Sequence, residues 1–382
     1  MRKSYTVERN ARRGLAFLAS LLDLLFATAL SIAIYLSIFY PIYLNSYSGT
    51  IKECDDARKT MLRIGCDSKL MHLQSDGDSV YTLNDSYQYY VRTILRYSYE
   101  SGDYDMANDS ERYAEKKEEM DLFPAINVTE SSFDDDFLGY FYTSFAVERG
   151  LVDSSVSAKE HYLKQVLDIE GEGKAFWKEN GAGHPLLNDS TRTSLFRYNV
   201  LKLASSESGQ IDRAFFAYFT KIYEEAGNLL LTMPEYKGAF DIYEADYSTL
   251  LNYKTMAFAV SASSAYLILF VIVSLFLPYR SSLGQLIFRM ASLNEEGEME
   301  MSGFLLSRLV EIVKHFPFIV PLGMVVDAQI LFQNLGTSPV NLLLIALIAV
   351  LVDIVSTLLL MTKKDARSLF DLTSRTYTFR YY

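Results

Sequence analysis

Residues 15–43 read LAFLASLLDLLFATALSIAIYLSIFYPIY, an apolar run broken only by Asp23 and a few serines and threonines. A helix rises about 1.5 Å per residue, so roughly 20 apolar residues cross the hydrocarbon layer of a membrane. This run exceeds that length. It is also too long for the apolar core of a secretory signal, and no small-residue cleavage pattern follows it. We therefore read it as a membrane span.

Three further runs have the same character. Residues 256–277 carry no charge, 316–332 carry only Asp327, and 341–361 carry only Asp353. The third run is marginal in length unless the amphipathic stretch 304–315 feeds into it. Basic residues mark one side. Arg2, Lys3, Arg9, Arg12 and Arg13 precede the first run, Arg280 and Arg289 follow the second, and Lys363, Lys364, Arg367, Arg375 and Arg380 follow the fourth. The excess of Lys and Arg on cytoplasmic flanks then places both termini inside.

Residues 46–253 contrast with this. They hold about 36 acidic and 21 basic side chains, a net charge near −15. Such a segment repels nucleic acid and anionic headgroups. Its acidity serves solubility outside the cell, or attracts a cationic peptide or metal ions. The expected fold is an all-α membrane protein, a four-helix transmembrane bundle with a mainly helical extracytoplasmic domain. Its parts are a cytoplasmic N-terminus and first span over 1–45, an acidic domain over 46–253 and a second span over 254–278. A cytoplasmic interfacial helix and loop fill 279–303, the third and fourth spans 304–362, and a cytoplasmic tail 363–382.

Within the acidic domain, Ile211, Phe215, Tyr218, Phe219, Ile222, Ala226, Leu229 and Leu230 form one stripe of 3.6-residue period. Thr232-Met-Pro-Glu235 fits a capping box that opens the next helix, with Tyr236, Phe240, Tyr243, Tyr247 and Leu250 on one face. Ser157-x-x-Glu160 opens another helix, and residues 86–99 and 191–204 read as helices too. Glycines and Pro185 punctuate a loop over 170–190, and Asp76-Gly-Asp78 is a turn. Tyr87, Tyr89, Tyr90, Tyr97 and Tyr99 form a stripe that reads as core, with a sugar- or peptide-binding face as the alternative. The only cysteines, Cys54 and Cys66, lie in this domain, and an oxidising compartment suggests one disulfide between them, against two buried thiols.

Catalytic and cofactor motifs are absent from the sequence. His72, His161, His184 and His315 have no partner at metal-ligand spacing, and there is no phosphate-cradling glycine loop or nucleophile elbow. The run Asp134–Asp136 lacks the oxygen spacing of a calcium loop and reads as the solvated start of a helix. No cofactor, metal or enzymatic activity is expected. The informative side chains are carboxylates in apolar runs, each costing roughly 2.5–3.5 kcal/mol at mid-span unless satisfied. We expect Asp23 to be structural and neutralised by Arg12, Arg13 or Arg308. Asp353 reads equally as a proton or cation relay and as an interhelical packing bond, and Asp327 joins it as a relay candidate.

Four motifs in order resemble the RDD family of bacterial membrane proteins. They are Arg12-Arg13-Gly-Leu-Ala-Phe-Leu-Ala-Ser-Leu-Leu-Asp23, Ser282-Leu-Gly284-Gln-Leu-Ile-Phe, Leu306-Ser-Arg308, and Arg367-Ser-Leu-Phe-Asp371-Leu-Thr-Ser-Arg-Thr376. Ser282, Gln285 and Phe370 stand where the family has Thr, Lys and His. The resemblance covers about 1–45 and 255–382 and makes the acidic domain an insertion between the first two spans. It implies a membrane protein, a transporter or an accessory to one. Residues 279–293, with Leu283, Leu286, Ile287, Met290 and Leu293 on one face, then form an interfacial helix. Arg13, Asp23, Arg308 and Asp371 form one charge cluster at that boundary. The expected partners are the lipid bilayer and a membrane or extracytoplasmic protein, with no nucleic acid. The expected function is a non-enzymatic scaffold or transport-accessory subunit in the cell membrane. The alternative is a cation- or proton-coupled transporter, acting as a homo-oligomer, that uses Asp327 and Asp353.

Overall fold

The computed structural model describes residues 13–74, 76–77, 79–100, 114–116, 136–152, 157–179, 185–203, 205–293, 301–316, 319–335, 338–362 and 377–380. The chain is mostly helical. It forms two compact units, one of Met1–Glu53 with Ala245–Tyr382 and one of Cys54–Glu244. These bounds fall inside the expected 46–253, because helices at both edges continue across them.

Unit Cys54–Glu244 begins on α2 (Ser48–Asp67) and continues through α3 (Leu83–Glu100). Helix α4 is Phe137–Tyr140 followed by a π-helical turn Phe141–Phe145, and α5 is Ala158–His161 followed by Tyr162–Val166 in the same form. A short hairpin pairs β1 (Trp177–Glu179) with β2 (Pro185–Leu187), Trp177 opposite Leu187. This hairpin replaces the loop expected over 170–190. Helix α6 (Asp189–Leu195) again ends in a π turn, Phe196–Val200, and α7 (Ser206–Leu230) is the longest helix lying wholly within the unit.

Local sequence explains several starts. Ser157 accepts from the Glu160 amide at 3.2 Å, as its motif predicts, and Asp136 accepts from the Leu138 amide at 3.0 Å at the head of α4. Ser205 and Ser208 cap α7 reciprocally. Thr232 departs from expectation, since its hydroxyl turns back to the Leu229 carbonyl at 2.6 Å. The α7 stripe is the spine of the core, with Phe215, Tyr218, Phe219, Ile222, Ala226 and Leu230 all buried. The tyrosine stripe of α3 packs on it. Tyr87, Tyr89 and Tyr90 are buried, and the Tyr87 hydroxyl donates to Asp212 at 2.8 Å, which also accepts from Asn199 at 2.7 Å. Side chains of Tyr97 and Tyr99 lie outside the described residues.

The expected disulfide is not formed. Cys54 and Cys66 carry thiols, and both sit on α2. Twelve residues of helix separate them by about 18 Å, whereas a bridge needs Cα atoms within about 7 Å. Partial burial, helped by Asp67, pushes the Cys66 thiol up from its ordinary value.

The other unit starts with α1, which runs through Arg13–Ile34, a π turn Tyr35–Phe39 and a last stretch Tyr40–Ser46. Pro41 offers no amide to the Ser37 carbonyl, and the turn before it widens accordingly. Helix α8 runs over Pro234–Tyr266 and on through a π stretch, Leu267–Val273, to Phe276. Among the described residues, two helices are long and apolar enough to cross a membrane, Leu18–Ser46 and Pro234–Phe276. Their large apolar side chains are exposed at Leu25, Ile32, Leu36, Val260, Leu267 and Ile272, a surface suited to hydrocarbon rather than water. Small buried residues on α8, such as Ala257, Ser261, Ala262 and Ala265, permit close helix approach.

Beyond α8 the expectations need correction. The interfacial helix is only α9 (Leu283–Ile287). Arg289 adopts a φ of 54°, which stops it, and Met290 and Leu293 lie on β3 (Met290–Leu293) instead. This strand pairs with β4 (Tyr377–Arg380), Met290 opposite Arg380, so part of the expected tail belongs to the fold. The expected third span is divided between α10 (Met301–His315) and α11 (Ile319–Val326). The eight residues of α11 reach about 12 Å, far short of the hydrocarbon thickness. Pro321 lies in the first turn of α11, where a proline is tolerated, and Pro317 precedes that helix in the sequence. Helix α12 (Leu342–Thr362) has 21 residues, with Leu347, Ile348, Leu351, Ile354 and Leu358 exposed.

Unit Cys54–Glu244 carries two opposed acid responses. The His72 ring packs 4.5 Å from Tyr89 and 5.3 Å from Phe137, and burial pushes it down to about 4. Burial pushes the Asp136 carboxyl up to about 6, against the Tyr162 hydroxyl that donates to it. As pH falls from about 6.5 to 4, the unfolded chain protonates its histidine before the folded one, so the His72 contribution to stability is lost. Over about 6 to 4 the folded state takes up the Asp136 proton first, so that contribution rises. Each is worth on the order of 3 kcal/mol. Trp177, the only tryptophan and 3% exposed, reports unfolding of this unit by its emission. His72→Phe should therefore leave a Trp177 melting temperature that rises on acidification from pH 6.5 to 4.5. Asp136→Asn should leave one that falls, and equal slopes in the two variants would refute the assignment.

Candidate functional site

The conspicuous polar chemistry of the unit Met1–Glu53 with Ala245–Tyr382 gathers at two places along α1. The first is built on Asp23, which is 4% exposed in the middle of an apolar run. Its carboxylate accepts from the Ser282 hydroxyl at 2.5 Å and from the Gly284 amide at 2.7 Å. Both donors belong to the first turn of α9, where helix amides lack internal partners and favour an anion. Ser282 also caps α9, accepting from the Gln285 amide at 3.2 Å, while Gln285 Oε1 accepts from the Ser282 amide at 3.0 Å. Gly284 permits the approach. A Cβ there would sit 2.0 Å from the Ala19 carbonyl oxygen and 2.9 Å from Asp23 Oδ2.

Arg308, 2% exposed, does not bond Asp23 directly. It pairs with Glu311, one turn along α10, and donates to the Arg280 carbonyl at 2.6 Å and to Gln285 Oε1 at 3.2 Å. The cluster is thus a relay of bonds, Arg308 to Gln285 to Ser282 to Asp23, rather than the direct ion pair expected. His315 adds a second clasp. Its Nε2 lies 2.9 Å from the Ser20 hydroxyl, and its ring stacks on Phe270 at 5.1 Å. The Arg13 side chain, Asp371 and Thr376 lie outside the described residues.

The second place is the far end of α1. Lys254 Nζ lies 3.3 Å from Asp327 Oδ2. Asp327 is extended at the end of α11, where its carboxylate also accepts from the Gln329 amide at 3.1 Å. The Tyr253 hydroxyl donates to the Phe39 carbonyl at 2.9 Å, next to the π turn of α1, and Gln333 donates to Asn252 at 2.7 Å. Beside the ion pair opens a cavity of about 380 Å³. Ile32, Leu36, Phe258 and Val326 give it apolar walls, with Tyr35, Tyr43 and Lys254 at its polar end. Asp327, expected as a relay candidate, is salt-bridged to Lys254 at the end of its helix. The Asp353 side chain lies outside the described residues. Among the described residues, no group of three or more His, Cys, Asp or Glu is placed to hold a metal ion.

No protein-family model, curated protein or solved structure matches this chain. Its chemistry has to be read from its own residues. Ser282, Gly284 and Arg308, singled out by motif, are brought together. Gln285, Glu311, His315 and Lys254 were missed. Ser282-x-x-Gln285 has the capping-box spacing, and Arg308-x-x-Glu311 has the spacing of a helical ion pair, so both were readable. Lys254 is the last charge before one apolar run and Asp327 the last within another, a complementarity visible only once the runs are set side by side.

The geometry couples Asp23 to α9 rather than directly to Arg308. Gly284→Ala should lower the melting temperature and the yield of purified protein, with a cost of about 1–3 kcal/mol from overpacking against Ala19. In a double-mutant cycle, Asp23→Ala and Ser282→Ala should couple by about 1–3 kcal/mol. A stronger coupling of Asp23 to Arg308 than to Ser282 would contradict the structure.

Proposed function

We propose that this chain is an RDD-like integral membrane protein of the cell membrane that works as a non-enzymatic scaffold or transport-accessory subunit. In this reading α1, α8 and α12 cross the membrane, the divided segment of α10 and α11 together makes the remaining crossing, both termini are cytoplasmic, and the acidic unit binds a membrane or extracytoplasmic protein partner outside. One observation carries the proposal. Asp23, the buried carboxylate of the family-like motif, spends both oxygens on Ser282 and Gly284. A carboxylate held this way, with one bond to each oxygen, ties α1 to the first turn of α9, which supports a packing role. The exposed apolar side chains of α1, α8 and α12 support the membrane part, and the basic flanks support the orientation.

A cation- or proton-coupled transporter, acting as a homo-oligomer, is the second reading, and the cavity beside Lys254 and Asp327 favours it. In liposomes the purified protein should show no cation or proton flux above empty vesicles, whereas copurification from native membranes should recover a stoichiometric protein partner. Flux that disappears in Asp327→Asn or Asp353→Asn, with folding intact, would replace the scaffold by the transporter. The orientation is tested separately in a background of Cys54→Ala and Cys66→Ser. Ser206→Cys, at an exposed position, should react with an impermeant maleimide in intact cells, and Ser368→Cys only after lysis. The reverse pattern would overturn the topology.

A further inference from the structure

The cavity at the α8 end of α1 has three properties that together specify an occupant. Its volume of about 380 Å³ lies in the range of small-molecule sites, about 300–1,000 Å³. Its apolar walls open sideways. Ile32, Leu36, Tyr40 and Val326 line it and are also exposed on the helix surface, Leu36 by 53%. A ligand can therefore enter from the same medium that bathes the apolar faces of α1 and α8. Its polar end is electrically balanced, because Lys254 faces the cavity while its ammonium lies 3.3 Å from the Asp327 carboxylate.

That balance discriminates among headgroups. A free anion, or a lipid of net negative charge, gains from the ammonium but is repelled by the carboxylate held 3.3 Å from it. A zwitterion has a charge for each. Lysine has three donors, so the contact to Asp327 leaves two for a phosphate. Tyrosine rings surround the place, with Tyr43 stacked at 5.9 Å on Tyr253 and at 6.3 Å on Tyr40. Ring faces attract an ammonium, and tyrosines are at home at the level of headgroups. Ser31 and Ser261, which also line the cavity, donate back to the Ala27 and Ala257 carbonyls of their own helices, so neither serine hydroxyl is left unpaired in the wall.

We propose that this cavity is a binding site for one zwitterionic phospholipid, with an acyl chain between α1 and α8, the phosphate on Lys254 and the headgroup ammonium toward Asp327. The site rests on the membrane reading of this unit and is independent of whether the protein acts as scaffold or transporter.

Native mass spectrometry of the full chain in detergent tests it, with phosphatidylethanolamine, phosphatidylglycerol and inorganic phosphate as probes. Phosphatidylethanolamine should bind as a single copy, about tenfold more tightly than phosphatidylglycerol, and phosphate alone should not bind. Lys254→Met combined with Asp327→Asn removes both charges without stranding either. It should weaken phosphatidylethanolamine about tenfold and abolish the preference. Leu36→Trp, at an exposed position on the rim, should displace the lipid while leaving the circular-dichroism melting temperature unchanged. Tighter binding of phosphatidylglycerol, binding of phosphate alone, or phosphatidylethanolamine retained equally by both variants would each overturn the site. Release of the chain from membranes by alkaline carbonate would instead sink the membrane premise, and the two failures are read separately.

Discussion

The structure around α1 depends on the absence of a side chain at Gly284. Because no Cβ stands between α9 and the Ala19 carbonyl, the first turn of α9 lies against α1 and delivers an amide and a hydroxyl to Asp23. A carboxylate in an apolar run costs several kcal/mol unless it is satisfied, and here two charge-assisted bonds satisfy it. The same turn passes the connection to α10 through Gln285 and Arg308. One backbone approach therefore sets the position of three helices.

The two described carboxylates of the apolar runs are stabilised in different ways. Asp23 is held by neutral dipoles and a helix terminus, whereas Asp327 is held by the Lys254 ammonium at the end of its helix. The difference follows from reach. A lysine stem can carry its charge to the end of an apolar segment and stay partly wet, as Lys254 does, but it cannot do so at a site 4% exposed. The outcome is a rigid clasp at one end of α1 and, at the other, a mainly apolar cavity with a charge pair at its edge.

The unit Cys54–Glu244 uses a third solution. Its core is built on aromatic side chains of α3, α4 and α7, and tyrosine hydroxyls reach carbonyls or carboxylates at its margin, as Tyr218 does with Leu167 and Tyr223 with Leu70. Large rings bury much area for each residue ordered, and their hydroxyls need one partner each. This packing leaves the unit independent of a disulfide, which the helix through Cys54 and Cys66 forbids in any case.

Periodicity and length in the sequence determined the helices of the acidic unit, its tyrosine core, the Ser157 cap and the apolar runs, because each depends on residues within one or two turns. The motif that marked Ser282, Gly284 and Arg308 also pointed at residues that meet. Tertiary structure alone decided what those residues bond. That Asp23 accepts from an α9 amide depends on a helix approach set by one missing Cβ, and that Asp327 is paired depends on Lys254, 73 residues away in sequence. The pairing of Met290–Leu293 with Tyr377–Arg380, the broken third run and the separation of the cysteines were likewise settled by backbone geometry. Local pattern records which face of an element is apolar. It does not record which distant donor will be within 3 Å of a buried acceptor, since that is a property of the packed helices together.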